Sequence, residues 1–227
     1  MLRGALHIAV VFSFLWLPLN RSDDAILSKL PLGVPGGLPR TENVMKCFEA
    51  VGPPTNVKAV IVAIKPYDDP ALCTQGLAMS VPPGVVPPAT NTLRQYIFPH
   101  LARYAFQGRI PPTCDLSRWS TEAGVLLLNA TMQSNGVTAA KWKPFLKAVI
   151  AKICAASTTP VGFILMGADA KKLAGAVTAA HVVVQCDFPG QWTGGAAALD
   201  TARPFQAIDN ALQAAGAPRI QWDVLLR

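Results

Sequence analysis

The chain has 227 residues, of which 51% are hydrophobic and 15% charged. That length suits one domain with a sizeable core, and the composition excludes an intrinsically disordered chain. A formal net charge of +7 is compatible with nucleic acid or another anionic assembly but singles out neither.

Met1-Leu2-Arg3 precedes an apolar run from Leu6 to Leu19, interrupted by His7, Ser13 and Pro18. The run is short of the roughly 20 residues that a membrane-spanning helix needs. It reads as a signal-like or organellar targeting segment, or as an interfacial or partner-contacting helix. Residues 20–40 are rich in Gly, Pro and Leu and read as an irregular arm. The expected organisation is therefore an N-terminal segment over 1–40 and one domain over 41–227.

Glu42 to Ala50 predicts a short helix, stopped by Gly52-Pro53-Pro54. Val57 to Ile64 is a mostly apolar run that predicts a buried strand. A Pro-rich loop follows through Pro88, and Thr92 to Arg103 carries Leu93, Tyr96, Ile97 and Leu101 at roughly helical spacing. Val125 to Leu128, opened by Gly124, predicts a second strand. Trp142, Phe145, Leu146, Val149, Ile150 and Ile153 then form an amphipathic stripe, with Lys143 and Lys147 off it on a solvated face. Val161 to Met166 and Val182 to Val184 predict a third and a fourth strand, separated by a short helix around Asp169 to Ala174. Arg203 to Ala215 predicts a late helix, closed by Gly216.

Strands alternating with helices imply an α/β fold, a three-layer arrangement with a central four-stranded parallel sheet. Ligands in such sheets sit beyond the carboxyl ends of the strands. Chemistry is therefore sought at Lys65, Asn129, Gly167 and Asp187. The five cysteines, Cys47, Cys73, Cys114, Cys154 and Cys186, are odd in number, widely spaced and without a C-x-x-C pair. They read as free thiols, with neither a disulfide framework nor a metal site expected.

Asp115-Leu116-Ser117-Arg118-Trp119 followed by Gly124-Val125-Leu126-Leu127-Leu128-Asn129-Ala130 resembles the D-L-S-x-W…G-V-L-L-L-N segment of uracil-DNA glycosylases. Lys65-Pro66-Tyr67, Gly76-Leu77-Ala78-Met79-Ser80-Val81 and Val86-Pro87-Pro88 resemble that family's preceding motifs. Gly167-Ala168-Asp169-Ala170-Lys171-Lys172 and Ile220-Gln221-Trp222 resemble its later ones. The likeness runs from about residue 40 to the C-terminus, in the family's order. It implies the family's α/β fold, no cofactor, and base flipping followed by cleavage of an N-glycosidic bond.

Carried over residue by residue, the resemblance puts the uracil-reading Asn at Asn129, whose amide both donates and accepts. It puts the thymine-excluding Tyr at Tyr67 and the stacking Phe at Met79, a softer platform. The family's catalytic Asp falls on Lys65, or on Pro66 in the alternative register, with Asp68 and Asp69 close behind. Its catalytic His falls on Asp187. None of His7, His100 and His181 occupies that place. Both replacements have the wrong charge: a cation opposes a cationic sugar, and a carboxylate opposes a departing uracilate. The loop that follows brings Gln191 and Trp192 forward as nucleic-acid or partner contacts, with Lys171 and Lys172 beside them.

The expectation is a uracil-DNA glycosylase-like protein that has lost catalysis. It would act as a structural or nucleic-acid-binding subunit of a larger, mitochondrial assembly. Its partners would be proteins, with DNA or RNA and a membrane contact through residues 6–19 as further candidates; nuclear or membrane-associated placement is the alternative. The competing functional reading is an active glycosylase of base-excision repair with an altered site. Lys65 and Asp187 are expected to form an ion pair across the cleft, plugging it; the alternative, Lys65 as an imine-forming nucleophile, needs a depressed pKa that acidic neighbours oppose.

Overall fold

The computed structural model describes residues 29–31, 37–40, 43–134, 138–190 and 193–227. The apolar run of residues 6–19 and the loop residues Gln191 and Trp192 lie outside them. Four five-residue strands, β1 (Ala59–Ala63), β2 (Val125–Asn129), β3 (Gly162–Met166) and β4 (Val182–Cys186), form one sheet in the order β2-β1-β3-β4. All three pairings are parallel, with Ala63 opposite Asn129 and Met166 opposite Cys186. This is the four-stranded parallel sheet that the sequence predicts, each strand within about two residues of its expected ends.

Every residue of β1, β2 and β3 is buried. A strand buried on both faces must be apolar throughout, which is why these segments read as unbroken Val, Ile and Leu runs rather than as alternations. The edge strand β4 is only partly buried along most of its length. Among the described residues the α-helices are α1 (Lys46–Val51), α2 (Phe98–Tyr104), α3 (Ser117–Thr121), α4 (Ala139–Ala156), α5 (Ala168–Lys171), α6 (Gly195–Ala202) and α7 (Pro204–Ala214). α1 and α3 pack on β2, while α6 and α7 cover β4 and α7 also reaches β3.

Two helices depart from expectation. The predicted helix over 92–103 starts as a π-helical stretch, Leu93–Ile97, and only then becomes α2. Pro99 has no N–H to give to the carbonyl four residues back, so the preceding turn widens and Phe98 N–H bonds to Leu93 instead. α6 is absent from the sequence reading, because Gly194-Gly195 followed by three alanines carries no apolar periodicity. The stripe on α4 is as expected, with Trp142, Phe145, Leu146, Val149, Ile150 and Ile153 all buried. All five cysteines are buried and unbridged.

Gly124, which opens β2, has φ +70°, and a Cβ there would lie 2.5 Å from the Asn56 carbonyl oxygen. The glycine is thus required both for its backbone angle and for close approach. Below the sheet's far end, Trp119 and Trp222 pack edge to face at 5.3 Å, with Phe205 against both. The fully buried Asp209 carboxylate binds them into the fold. It accepts from Tyr104 Oη at 2.6 Å, from Ile220 N–H at 3.0 Å and from Trp222 Nε1 at 3.2 Å.

Candidate functional site

The carboxyl ends of β1, β2, β3 and β4 deliver Ile64 and Lys65, Asn129, Gly167 and Asp187 to one edge of the sheet. A cleft of about 550 Å³ opens there, lined among others by Ile64, Gly167, Asp169, Asp187, Phe188 and Thr193. The lining mixes apolar Ile64 and Phe188 with the carboxylates of Asp169 and Asp187.

Asn129 ends β2 and is 5% exposed. Its Oδ1 is buried and accepts no hydrogen bond among the described residues. An unsatisfied buried carbonyl costs about 1–3 kcal/mol, so this acceptor is suited to a donor that arrives from outside, such as the N–H of a pyrimidine edge.

Tyr67 lies four residues past β1, half-buried. Its hydroxyl donates to the Met79 carbonyl at 2.7 Å and accepts from Asn91 Nδ2 at 2.9 Å. Burial pushes the phenol up to about 12, with the Asn91 hydrogen bond pulling the other way. The phenol is therefore neutral near pH 7. Met79 is buried and sits at φ +64°, an uncommon angle for a side-chain-bearing residue. The loop around it is tied down by side chains. Ser80 Oγ donates to Gln75 Oε1 at 2.7 Å and accepts from Leu116 N–H at 2.9 Å, while Gln75 Nε2 donates to Asp115 Oδ1 at 2.8 Å. The same Asp115 oxygen accepts from Ser117 N–H at 2.9 Å at the start of α3. The D-L-S motif therefore braces the Met79 loop. Asn91 and Gln75 stand in none of the motifs read from the sequence, whereas Ser80 stands in one without its bracing role being visible; the Asp-x-Ser spacing reads only as a helix cap.

The charged residues do not meet each other. Lys65 Nζ bonds both oxygens of Asp68, at 2.7 and 2.8 Å, and the pair is exposed. Asp187 Oδ1 accepts from Lys171 Nζ at 2.6 Å. The expected Lys65–Asp187 plug is thus replaced by two local pairs. Each charge has a partner nearer in sequence, at i+3 for Lys65, so neither needs to reach across the cleft. Lys172 pairs with Asp169 at 2.6 Å, so neither Lys171 nor Lys172 is an uncommitted cation. With its ammonium held by both Asp68 oxygens, Lys65 is engaged as one half of an ion pair, which argues against a free imine-forming amine. Cys186, next to Asp187, has its thiol pushed up to about 12, first by burial and further by Asp187, with Lys171 opposing. It is inert as a nucleophile at neutral pH.

No family model matches the chain. It is 33% identical over 190 residues to a uracil-DNA glycosylase of Streptococcus equi subsp. zooepidemicus (strain MGCS10565), covering 81% of this chain and 82% of that protein. It is 31% identical over 186 residues to a uracil-DNA glycosylase of Streptococcus agalactiae serotype III (strain NEM316), covering 78% and 81%. Among solved structures, mimivirus uracil-DNA glycosylase matches with a TM-score of 0.67 at 20% identity, over 83% of this chain and 75% of that one. That last likeness is one of fold.

Proposed function

Because the chain belongs to the uracil-DNA glycosylase family, we propose that it binds an unstacked uracil in nucleic acid through Asn129, Tyr67 and Met79 but has lost efficient cleavage of the glycosidic bond. One observation carries this reading. Where the family motif calls for a carboxylate, the chain has Lys65 paired to Asp68, and where it calls for histidine it has Asp187 paired to Lys171. Bond cleavage builds positive charge on the sugar and negative charge on the base. A lysine at the first and a carboxylate at the second both raise the barrier, whereas binding the neutral base requires neither group. The same recognition would serve a structural or nucleic-acid-binding subunit of a larger assembly.

The test pairs binding with turnover on a single-stranded oligonucleotide containing one deoxyuridine. The expected result is salt-sensitive binding that Asn129→Ala weakens, with uracil release slower by about 10²–10³ or more than that of an assayed relative. Restoring both charges with Lys65→Asp and Asp187→His is expected to raise release. Release by the unaltered chain at the relative's rate, abolished in Asn129→Ala, overturns the proposal.

A second reading, an active glycosylase, is favoured by the names of the relatives and by the Asp68 carboxylate, which lies 2.7 Å from Lys65 Nζ. In that case Asp68 stands in for the missing carboxylate, and Asp68→Asn eliminates release that the unaltered chain shows.

A further inference from the structure

The wall of the proposed base site is held by a residue that the motif comparison passes over. Asn91 is 2% exposed. Its Oδ1 accepts from Leu93 N–H at 3.0 Å and from Arg94 N–H at 3.4 Å, capping the helical stretch that begins there, and also from the Cys114 thiol at 3.6 Å. Its own backbone is fixed as well, with its N–H on Pro88 O at 2.9 Å and its carbonyl receiving Gln95 N–H at 3.0 Å.

These contacts settle which way the amide faces. Three donors point at one end of the side chain, so that end is the oxygen and the NH₂ must face Tyr67 Oη, 2.9 Å away. With that donor on the phenol oxygen, the phenol's own proton is directed to the Met79 carbonyl, 2.7 Å away. Met79 in turn sits at φ +64°. The polarity of the chain Asn91 NH₂ to Tyr67 O–H to Met79 carbonyl is therefore set by Asn91.

We infer that Asn91 is a positioning residue for base selectivity, acting through Tyr67 and the Met79 loop to keep the wall of the site rigid enough to separate uracil from its 5-methylated counterpart. This rests on the base-reading proposal above. A wall free to shift by an ångström admits a methyl group, whereas one held at both its oxygen's lone pair and its proton does not. Asn91 touches no base in this scheme; it fixes the groups that do.

Asn91→Asp is the sharp test. The introduced carboxylate keeps an oxygen for Leu93 and Arg94 N–H and for the thiol, and it has nearly the same shape. It can no longer donate to Tyr67; it accepts instead, drawing the phenol proton away from Met79. Affinity is measured on single-stranded oligonucleotides carrying one deoxyuridine or one thymidine at the same place. The expected outcome is a fall in the uracil-to-thymine preference of about five- to tenfold, the scale of one buried hydrogen bond. In a Tyr67→Phe background, Asn91→Asp is expected to add nothing further, because the two act as one unit. The phenolic O–H resonance of Tyr67, identified by its loss in Tyr67→Phe, is expected to shift in Asn91→Asp. An unchanged preference, additive losses or an unmoved resonance each overturns the inference. If the unaltered chain shows no preference for uracil over thymine, the base-reading proposal has failed, and the resonance alone decides whether Asn91 holds Tyr67. Should Asn91→Asp not fold, Asn91→Ser, which retains a capping oxygen, is read out in the same way.

Discussion

His100 is buried on α2, and its Nδ1 faces Asp200 Oδ1 at 3.4 Å while its Nε2 has no partner among the described residues. Burial holds the imidazole below its ordinary pKa, Arg103 and Arg203 act in the same direction, and Asp200 opposes them. Below about pH 6.5 the unfolded chain takes up a proton that the folded chain resists. Stability contributed by the neutral ring is thus full above that pH and is lost as pH falls towards the lowered folded value. Urea midpoints at pH 7.5 and pH 5.5 should drop more for the unaltered protein than for His100→Gln; equal drops would remove His100 from the account. At this scale the sequence is uneven as a guide. Asn129 and Tyr67 stand in recognisable motifs. Asn91 stands in none, because a lone Asn after a Pro-rich loop looks like any turn residue, and its importance lies in a contact 24 residues back in the chain. Lys65 is legible as an anomaly, but its partner is not. A carboxylate three residues away outcompetes one on another strand, since it costs less chain entropy to bring into place.

Among elements, the contact between β3 and α7 is set by a missing side chain. A Cβ at Gly162 would lie 2.5 Å from Ile208 Cγ2, so the helix rests directly on strand backbone. Gly162→Ala should destabilise by about 1–3 kcal/mol through overpacking. Combined with Ile208→Ala it should cost less than the sum of the two single changes, because the second makes room for the first. Chemical denaturation of the three variants measures this; strict additivity would mean that the close approach carries no strain. The strands were legible because burial on both faces leaves an unbroken apolar run. The π-helical stretch was not, since hydrophobic spacing of 3.6 and 4.4 residues per turn is indistinguishable over five residues and only the Pro99 gap decides between them. α6 was invisible for a simpler reason: alanines are compatible with any packing environment.

On the scale of the whole molecule, Asp209 joins parts of the chain that are otherwise far apart. It lies on α7, and its carboxylate holds Tyr104 at the end of α2, the backbone of Ile220 and the indole of Trp222. Trp222 passes the link on, its carbonyl accepting from Trp119 Nε1 of α3 at 2.9 Å. Arg219 stands over the Tyr104 ring and bonds its hydroxyl. Asp209→Ala leaves several buried donors without an acceptor at once, and a loss of about 3–5 kcal/mol is expected. Because the carboxylate ties α2, α3 and α7 together, the loss should appear as an earlier but still single unfolding transition by tryptophan fluorescence and circular dichroism. A separate early transition confined to fluorescence would show instead that the C-terminal turn is held independently.

The order β2-β1-β3-β4 also has a consequence in time. Of the four strands of this sheet β1 is the first to leave the ribosome, yet it lies inside the sheet, and both of its neighbours are made later. Until residues 125–129 and 162–166 have been synthesised, Ala-Val-Ile-Val-Ala lacks both of its sheet neighbours and has two open edges. A short, uncharged, proline-free β-forming run in that condition is a site for association with other nascent chains. A strand that ends up paired on both sides and fully buried is therefore one in need of shielding while the protein is being made.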